Sequence, residues 1–340
     1  MSIQKDASLG IKKETTYGAY VVPDKFLEFT EESLEWTPEF LTGEGLRPGV
    51  RVPRAGRRSI GKHSAGGSIT VEAGTKGLGA LLEAALGAVT NTETADAGVF
   101  QQVHTPLRDD WLPHYTIQKG VPLLGGGLQA TSFLGAQCES IEISASNSAI
   151  VTVATEWVAR DAVVNQTYAP PSYPVDLELF TFLHGELYTG EVTPPSATEL
   201  GTGETEIGNV TDFSVKWTNG LDSGGYNLGG EGRRTRRAAL GAGEASGSLT
   251  VEYSDNAMRD AYINQDDLSL VLTFEHPSTI GTSSHPTLQV VIPCVRLDGE
   301  TPKASGGDVI TTSPGFTILD GLVPGVEPIY LVYRTSDTAP

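Results

Sequence analysis

The chain has 340 residues, 39% of them hydrophobic, with 40 glycines, 20 prolines and a formal net charge of -19 from 42 acidic and 23 basic residues. That length suits two domains, the hydrophobic share excludes wholesale disorder, and the abundance of Gly, Pro, Thr, Ser and Val favours strands joined by turns. So acidic a chain lacks the broad basic surface of a nucleic-acid-gripping protein, but suits one that stays soluble before assembly or lines a passage for DNA.

The first six residues, Met1-Ser-Ile-Gln-Lys-Asp6, hold no apolar signal core, and no stretch approaches the roughly 20 apolar residues of a membrane span. The chain is therefore expected to lie outside membranes, and synthesis in a bacterial cytoplasm fits these features. Further on, Ser33-Leu-Glu-Trp36-Thr37 predicts a strand, and Gly67-Ser-Ile-Thr-Val-Glu72 a second one after a long loop. Leu78, Leu81, Leu82, Ala85 and Leu86 then fall on one face of a short helix, expected to pack on the adjoining sheet.

Ile141, Ile143 and Ala145 alternate with polar residues, Ser146-Asn-Ser148 reads as a turn, and Val151, Val153, Thr155 and Trp157 alternate on a return strand. Prolines in Tyr168-Ala-Pro-Pro-Ser-Tyr-Pro174 break any regular element. Beyond them the opening pattern returns. Ser214-Val-Lys-Trp217-Thr218 repeats the first strand, Gly247-Ser-Leu-Thr-Val-Glu252 the second, and Met258, Ala261 and Tyr262 stand where Leu78, Leu81 and Leu82 stood. Two matches in register imply an internal duplication. The expected domains are residues 1–170 and 171–340, each a strand, a long loop, a strand, a short helix and further strands. Those further strands include Asp267–Phe274, Leu288–Ile292 and Phe316–Leu319, with a Gly-rich connection near Ser305-Gly-Gly307.

The positive charge is concentrated. Arg47, Arg51, Arg54, Arg57, Arg58 and Lys62 lie in the long loop of the first repeat, and Arg233, Arg234, Arg236 and Arg237 in the corresponding loop of the second. Loops this long within a compact domain suggest arms. A nucleic-acid patch and a merely solvated loop are alternatives. Arginine's planar fork favours docking on carboxylates of the next copy of the same chain, so these ten residues are the candidate inter-subunit contacts.

Little argues for chemistry. No P-loop, nucleophile elbow, HExxH or EF-hand spacing occurs. His63, His104, His114, His184, His276 and His285 are dispersed, and Cys138 and Cys294 stand alone, so no catalytic residue, cofactor or metal is assigned. The two cysteines, each just ahead of a strand, are expected at similar buried places in the two repeats. Trp36 and Trp217 could serve as sugar-stacking platforms, but the alternation around both places them against a core.

Gly10-Ile-Lys-Lys-Glu-Thr-Thr-Tyr-Gly18, Phe26-Leu-Glu-Phe-Thr-Glu-Glu-Ser-Leu34, Glu44-Gly-Leu-Arg-Pro-Gly49 and Gly74-Thr-Lys-Gly-Leu-Gly79 together resemble the tail tube proteins of siphophages. The second half shares the likeness through Val210-Thr-Asp-Phe-Ser-Val-Lys-Trp217. The resemblance implies a β-sandwich tube domain with a flanking helix and a long loop; the internal repeat departs from the family's single-domain pattern, so the expected fold is mostly β with two such domains in tandem. The resemblance also implies a structural virion protein, not an enzyme, whose sheets join into a barrel around a lumen and whose rings stack into a tube.

The partners so implied are other copies of the chain, a tape measure protein, and tail tip and tail terminator proteins. Genomic DNA passes through the lumen without specific binding. If a ring needs six tube domains, three duplicated chains supply them, and a homotrimer with pseudo-sixfold symmetry is expected. The alternatives are a hexamer with one repeat outside, a decoration or baseplate protein, and a carbohydrate-binding adhesive module.

Overall fold

The computed structural model describes residues 4–299, 301–302 and 309–340, so the Gly-rich connection at Ser305-Gly-Gly307 lies outside the described residues. The fold is mostly β. The first half contributes β1 (Ser8–Lys13), β2 (Lys25–Leu27), β3 (Phe29–Glu32), β4 (Glu35–Thr42) and β5 (Arg58–Glu72). Then follow α1 (Gly79–Leu86), β6 (Gly87–Glu93), β7 (Phe100–Pro106), β8 (Tyr115–Pro122), β9 (Leu128–Ser146), β10 (Thr152–Ala159) and β11 (Asp161–Val163). The second half contributes β12 (Gly185–Thr189), β13 (Thr205–Glu206), β14 (Val210–Thr218), β15 (Glu244–Glu252), α2 (Ala257–Asn264) and β16 (Leu268–Glu275). The last strands are β17 (Thr287–Asp298), β18 (Thr311–Thr312), β19 (Gly315–Ile318) and β20 (Tyr330–Thr335).

One layer runs through both halves in the order β4–β5–β10–β9–β14–β15–β19–β17, antiparallel throughout, with β3 beside β4 on the same edge of β5. The long strands β9 and β17 leave this layer at their N-terminal ends. There β9 pairs with β8 and β11, and β17 with β16 and β20. A further row, β6–β7–β20–β17–β16–β12, crosses between the halves. Alternation explains the layering, because successive side chains on a strand face opposite sides. Ile141, Ile143 and Ala145 on β9, and Val151, Val153 and Trp157 on the return strand and its approach, are all buried.

The turn between β9 and β10 closes with the Ala149 N–H donating to the Ser146 carbonyl (3.0 Å), and Ser148 adopts a positive φ of 60° there. Both helices form where the apolar spacing predicts them. In α1, Leu81, Leu82, Ala85 and Leu86 are completely buried, each large side chain contributing roughly 1.5–3 kcal/mol by burial. In α2, Ala261 is buried while Met258 and Tyr262 lean on the core. Gly87 and Gln265 end the two helices in left-handed conformation. Among the described residues no helix is long and apolar enough to cross a membrane.

Two expectations need correction. Trp217 packs partly buried on the core, its indole N–H donating to Asn219 Oδ1 (2.9 Å), but Trp36 is 41% exposed and leans on the His63 ring. The reason is the neighbour: β14 is flanked by β9 on one side and β15 on the other, whereas among the described residues β4 pairs with β5 alone. The cysteines do not occupy matching places either. Cys138 lies opposite Trp157, which lies opposite Gly67; in the second half Phe316 lies opposite Gly247 and faces Leu297, not Cys294. Both cysteines are buried and free.

Candidate assembly interface

The first basic loop is a projecting hairpin. Strands β4 and β5 continue pairing out to Thr42 and Arg58, well past the body of the sheet, and Gly43–Arg57 closes the tip. The outer half of this arm is exposed on nearly every residue. It carries apolar side chains largely left to solvent: Leu46 is 99% exposed, and Phe40, Leu41, Val50, Val52 and Ile60 are exposed as well. Exposed apolar surface of this kind, rimmed by charge, marks an interaction site.

The arm's cations divide into two groups. Arg57 donates to the Gly45 carbonyl (2.7 Å), Arg58 stacks over Phe40 at 4.1 Å, and Lys62 pairs with Glu39 at 3.4 Å, so these three shape the arm itself. Arg47, Arg51 and Arg54 have no ion pair among the described residues and present their charge outward from the tip.

The second loop has the same kind of sequence and a different conformation. After Thr218 and before Glu244 it leaves the β14–β15 ladder and folds back over the first half of the chain. Its arginines take partners there and within the loop itself. Arg233 pairs with Asp161 at 2.8 Å, and Arg236 grips both oxygens of Asp222 at 2.6 and 3.1 Å. The Arg236 hydrogen bonds hold the Asp222 carboxyl down to about 2. Arg234 is buried, donates to the Asp222 carbonyl (2.9 Å) and lies over the Tyr226 ring, while Arg237 lies over Trp111. Backbone contacts reinforce the docking. The Ala238 N–H donates to Gln137 Oε1 (2.8 Å), and the His63 N–H donates to the Gly232 carbonyl (3.0 Å).

Asp161 is the anchor of this contact. Its side chain is 9% exposed and lies 3.3 Å from His63 Nε2 as well as against Arg233, so the root of the arm, the β10–β11 corner and the second loop meet at one carboxylate. No motif announced Asp161 or Gln137 in the sequence; Gln137 lies on β9 and Asp161 on β11, which pairs with β9.

Two further features frame the surface. The edge of β3 and β4 away from β5 has no strand partner among the described residues. A groove of about 1050 Å³ runs along β3, lined by Leu27, Glu28, Phe29, Glu31, Glu32 and Val121 among others. Unpaired strand edges are templates for pairing with another chain. The histidines remain apart in function: among the described residues no group of three or more His, Cys, Asp or Glu side chains is placed to hold a metal ion.

The family model described as phage tail tube protein matches residues 4–318 of the chain. No curated protein matches it significantly.

Proposed function

Because the chain belongs to the phage tail tube protein family, we propose that it is the repeating subunit of a tube: a structural protein that assembles with itself into rings, stacks them, and encloses the lumen through which phage DNA leaves the virion. The carrying observation is the junction between β9 and β14, seven residues paired antiparallel from Ser140–Thr218 to Ser146–Asp212. It joins the two halves into one layer across the very edge of β14 that corresponds to the free edge of β4. A junction of this type, repeated between chains, closes the layer into a barrel and removes its edges.

On this reading the chain is a duplication with its boundary near residue 170, and three chains form a ring of six similar domains. The correspondence of β4, β5 and α1 with β14, β15 and α2 supports it. The net charge of -19 suits a wall past which DNA slides without being retained. The arm at Gly43–Arg57 serves contacts between subunits, and tape measure, tip and terminator proteins are the remaining partners.

Electron microscopy of the purified chain, with the mass per ring from scattering, tests the proposal. Hollow tubes built of three-chain rings are the expected result. Six chains per ring would keep the tube and discard the trimer, and rings that never stack would favour a decoration or baseplate role.

A further inference from the structure

The contact between the second loop and the first half of the chain has an empty counterpart in the second half. Trp157 and Phe316 lie opposite Gly67 and Gly247, and across the other strand they face Cys138 and Leu297. Continuing residue by residue from these anchors takes Gln137 to Arg296, Glu139 to Asp298, and Asp161 to Asp320. In the first half all three positions are engaged by the second loop: Gln137 by Ala238, Glu139 by the Leu221 N–H (3.0 Å), and Asp161 by Arg233. In the second half Arg296, Asp298 and Asp320 are exposed.

Beside Asp320 stand Leu322, 85% exposed, and Val323, 57% exposed. Asp320 has no cation partner among the described residues; one of its oxygens accepts the Leu322 N–H at 2.8 Å. Asp267 lies close by, paired with Arg296 at 2.7 Å. The surface therefore carries three carboxylates against one cation, Arg296, beside two exposed apolar side chains, and is acidic on balance; none of the described loops of the same chain covers it.

We infer that this surface, centred on Asp320, receives the arm tip of a second copy of the chain, with Arg51 or Arg54 taking on Asp320 the part that Arg233 takes on Asp161. The occupant follows from the repeat and from charge. Counted from the first or the second matched strand, the residue equivalent to Arg233 is Val52 or Pro53, and Arg51 and Arg54 flank that pair. The arm tip is cationic and apolar where the surface is anionic and apolar, with Leu46 and Val52 available for Leu322 and Val323. An exposed guanidinium meeting a carboxylate in the shelter of apolar neighbours supplies orientation as well as attraction. The inference rests on the proposed self-assembly and duplication, and adds the site at which one subunit holds the arm of the next.

Charge exchange tests it. Asp320→Arg is expected to lower the yield of assembled rings or tubes at least tenfold, and Arg51→Asp with Arg54→Asp to do the same. Combining the three substitutions in one chain restores assembly, and circular dichroism of each variant matches the unaltered protein. Assembly of the Asp320→Arg chain at the unaltered yield overturns the docking site while leaving the tube function in place. Loss in both variants with no recovery in the combination overturns the assigned pairing. Failure of the unaltered chain to self-associate at any concentration, alone or on purified tail tips, overturns the function and this site with it.

Discussion

Arg233 lies 2.8 Å from Asp161, and this ion pair fastens the second basic loop to the first half of the same chain. Asp161 is largely buried, while Arg233 keeps 41% of its side chain exposed, so solvent screens part of the attraction. Removing the arginine leaves the carboxylate with His63 and the Ala162 N–H, and without a permanent cation beside it. Arg233→Gln is expected to lower unfolding stability by about 1–2 kcal/mol. Arg51→Gln, at a free position on the arm, is expected to cost less than about 0.5 kcal/mol. Urea titrations of the two variants make the comparison, and equal midpoints would remove the anchoring role given to Asp161.

Gly67 shows how the strand core depends on a missing side chain. Its φ of 146° is a conformation that side chains rarely adopt, and an added Cβ would run into the Ser33 carbonyl. Gly67→Ala is therefore expected to destabilise by about 2–4 kcal/mol. Gly56, at the arm tip, has open space around it, and Gly56→Ala is expected to be nearly neutral. Thermal melts of both variants check the contrast.

Much of this fold was legible because it rests on local rules. The strand pairs around Trp36 and Trp217, the turn at Ser146–Ser148 and both helices follow from alternation, turn residues and the spacing of Leu81, Leu82 and Leu86. What local rules could not reveal is which surfaces meet. The pairing of β20 with β7 brings Leu331 opposite His104 across most of the chain, and nothing within either segment encodes its partner. The same limit applies to the two basic loops. Their sequences are alike, yet one projects and the other folds back, because only the second has the first half of its own chain beside it. Trp36 is exposed for that reason, its strand having no neighbour among the described residues where β14 has β9.

Acid should weaken the fold through two histidines. His104 is fully buried without a hydrogen-bond partner among the described residues, and burial pushes it down to about 3. Burial, with help from the Arg237 and Lys13 charges, pushes His114 down to about 4. The unfolded chain protonates both near pH 6.5, so below that point it binds protons that the folded chain refuses. The stability they contribute is full above about pH 6.5 and declines as pH falls towards 4, by up to about 1.4 kcal/mol per pH unit for each histidine. Glu14, raised by burial, acts in the opposite sense near the carboxylate range. Melting temperatures from pH 7.5 to 5 should fall less steeply for His114→Gln than for the unaltered chain; parallel profiles would exclude His114 as a contributor.

The free cations of the arm separate folding from assembly. Arg47, Arg51 and Arg54 make no ion pair among the described residues, so replacing all three by Gln should leave the melting temperature within about 2 °C. Assembly is where their absence should register, because three exposed charges would otherwise meet an acidic partner. The triple variant is expected to need at least tenfold more protein to form rings or tubes. Added salt should weaken assembly of the unaltered chain more than that of the variant, since exposed pairs are screened over about 10 Å at 0.1 M. Sedimentation at two ionic strengths reads both effects. A variant that assembles like the unaltered chain, with the same salt dependence, would mean that the arm holds its neighbour through Leu46, Val50 and Val52 alone.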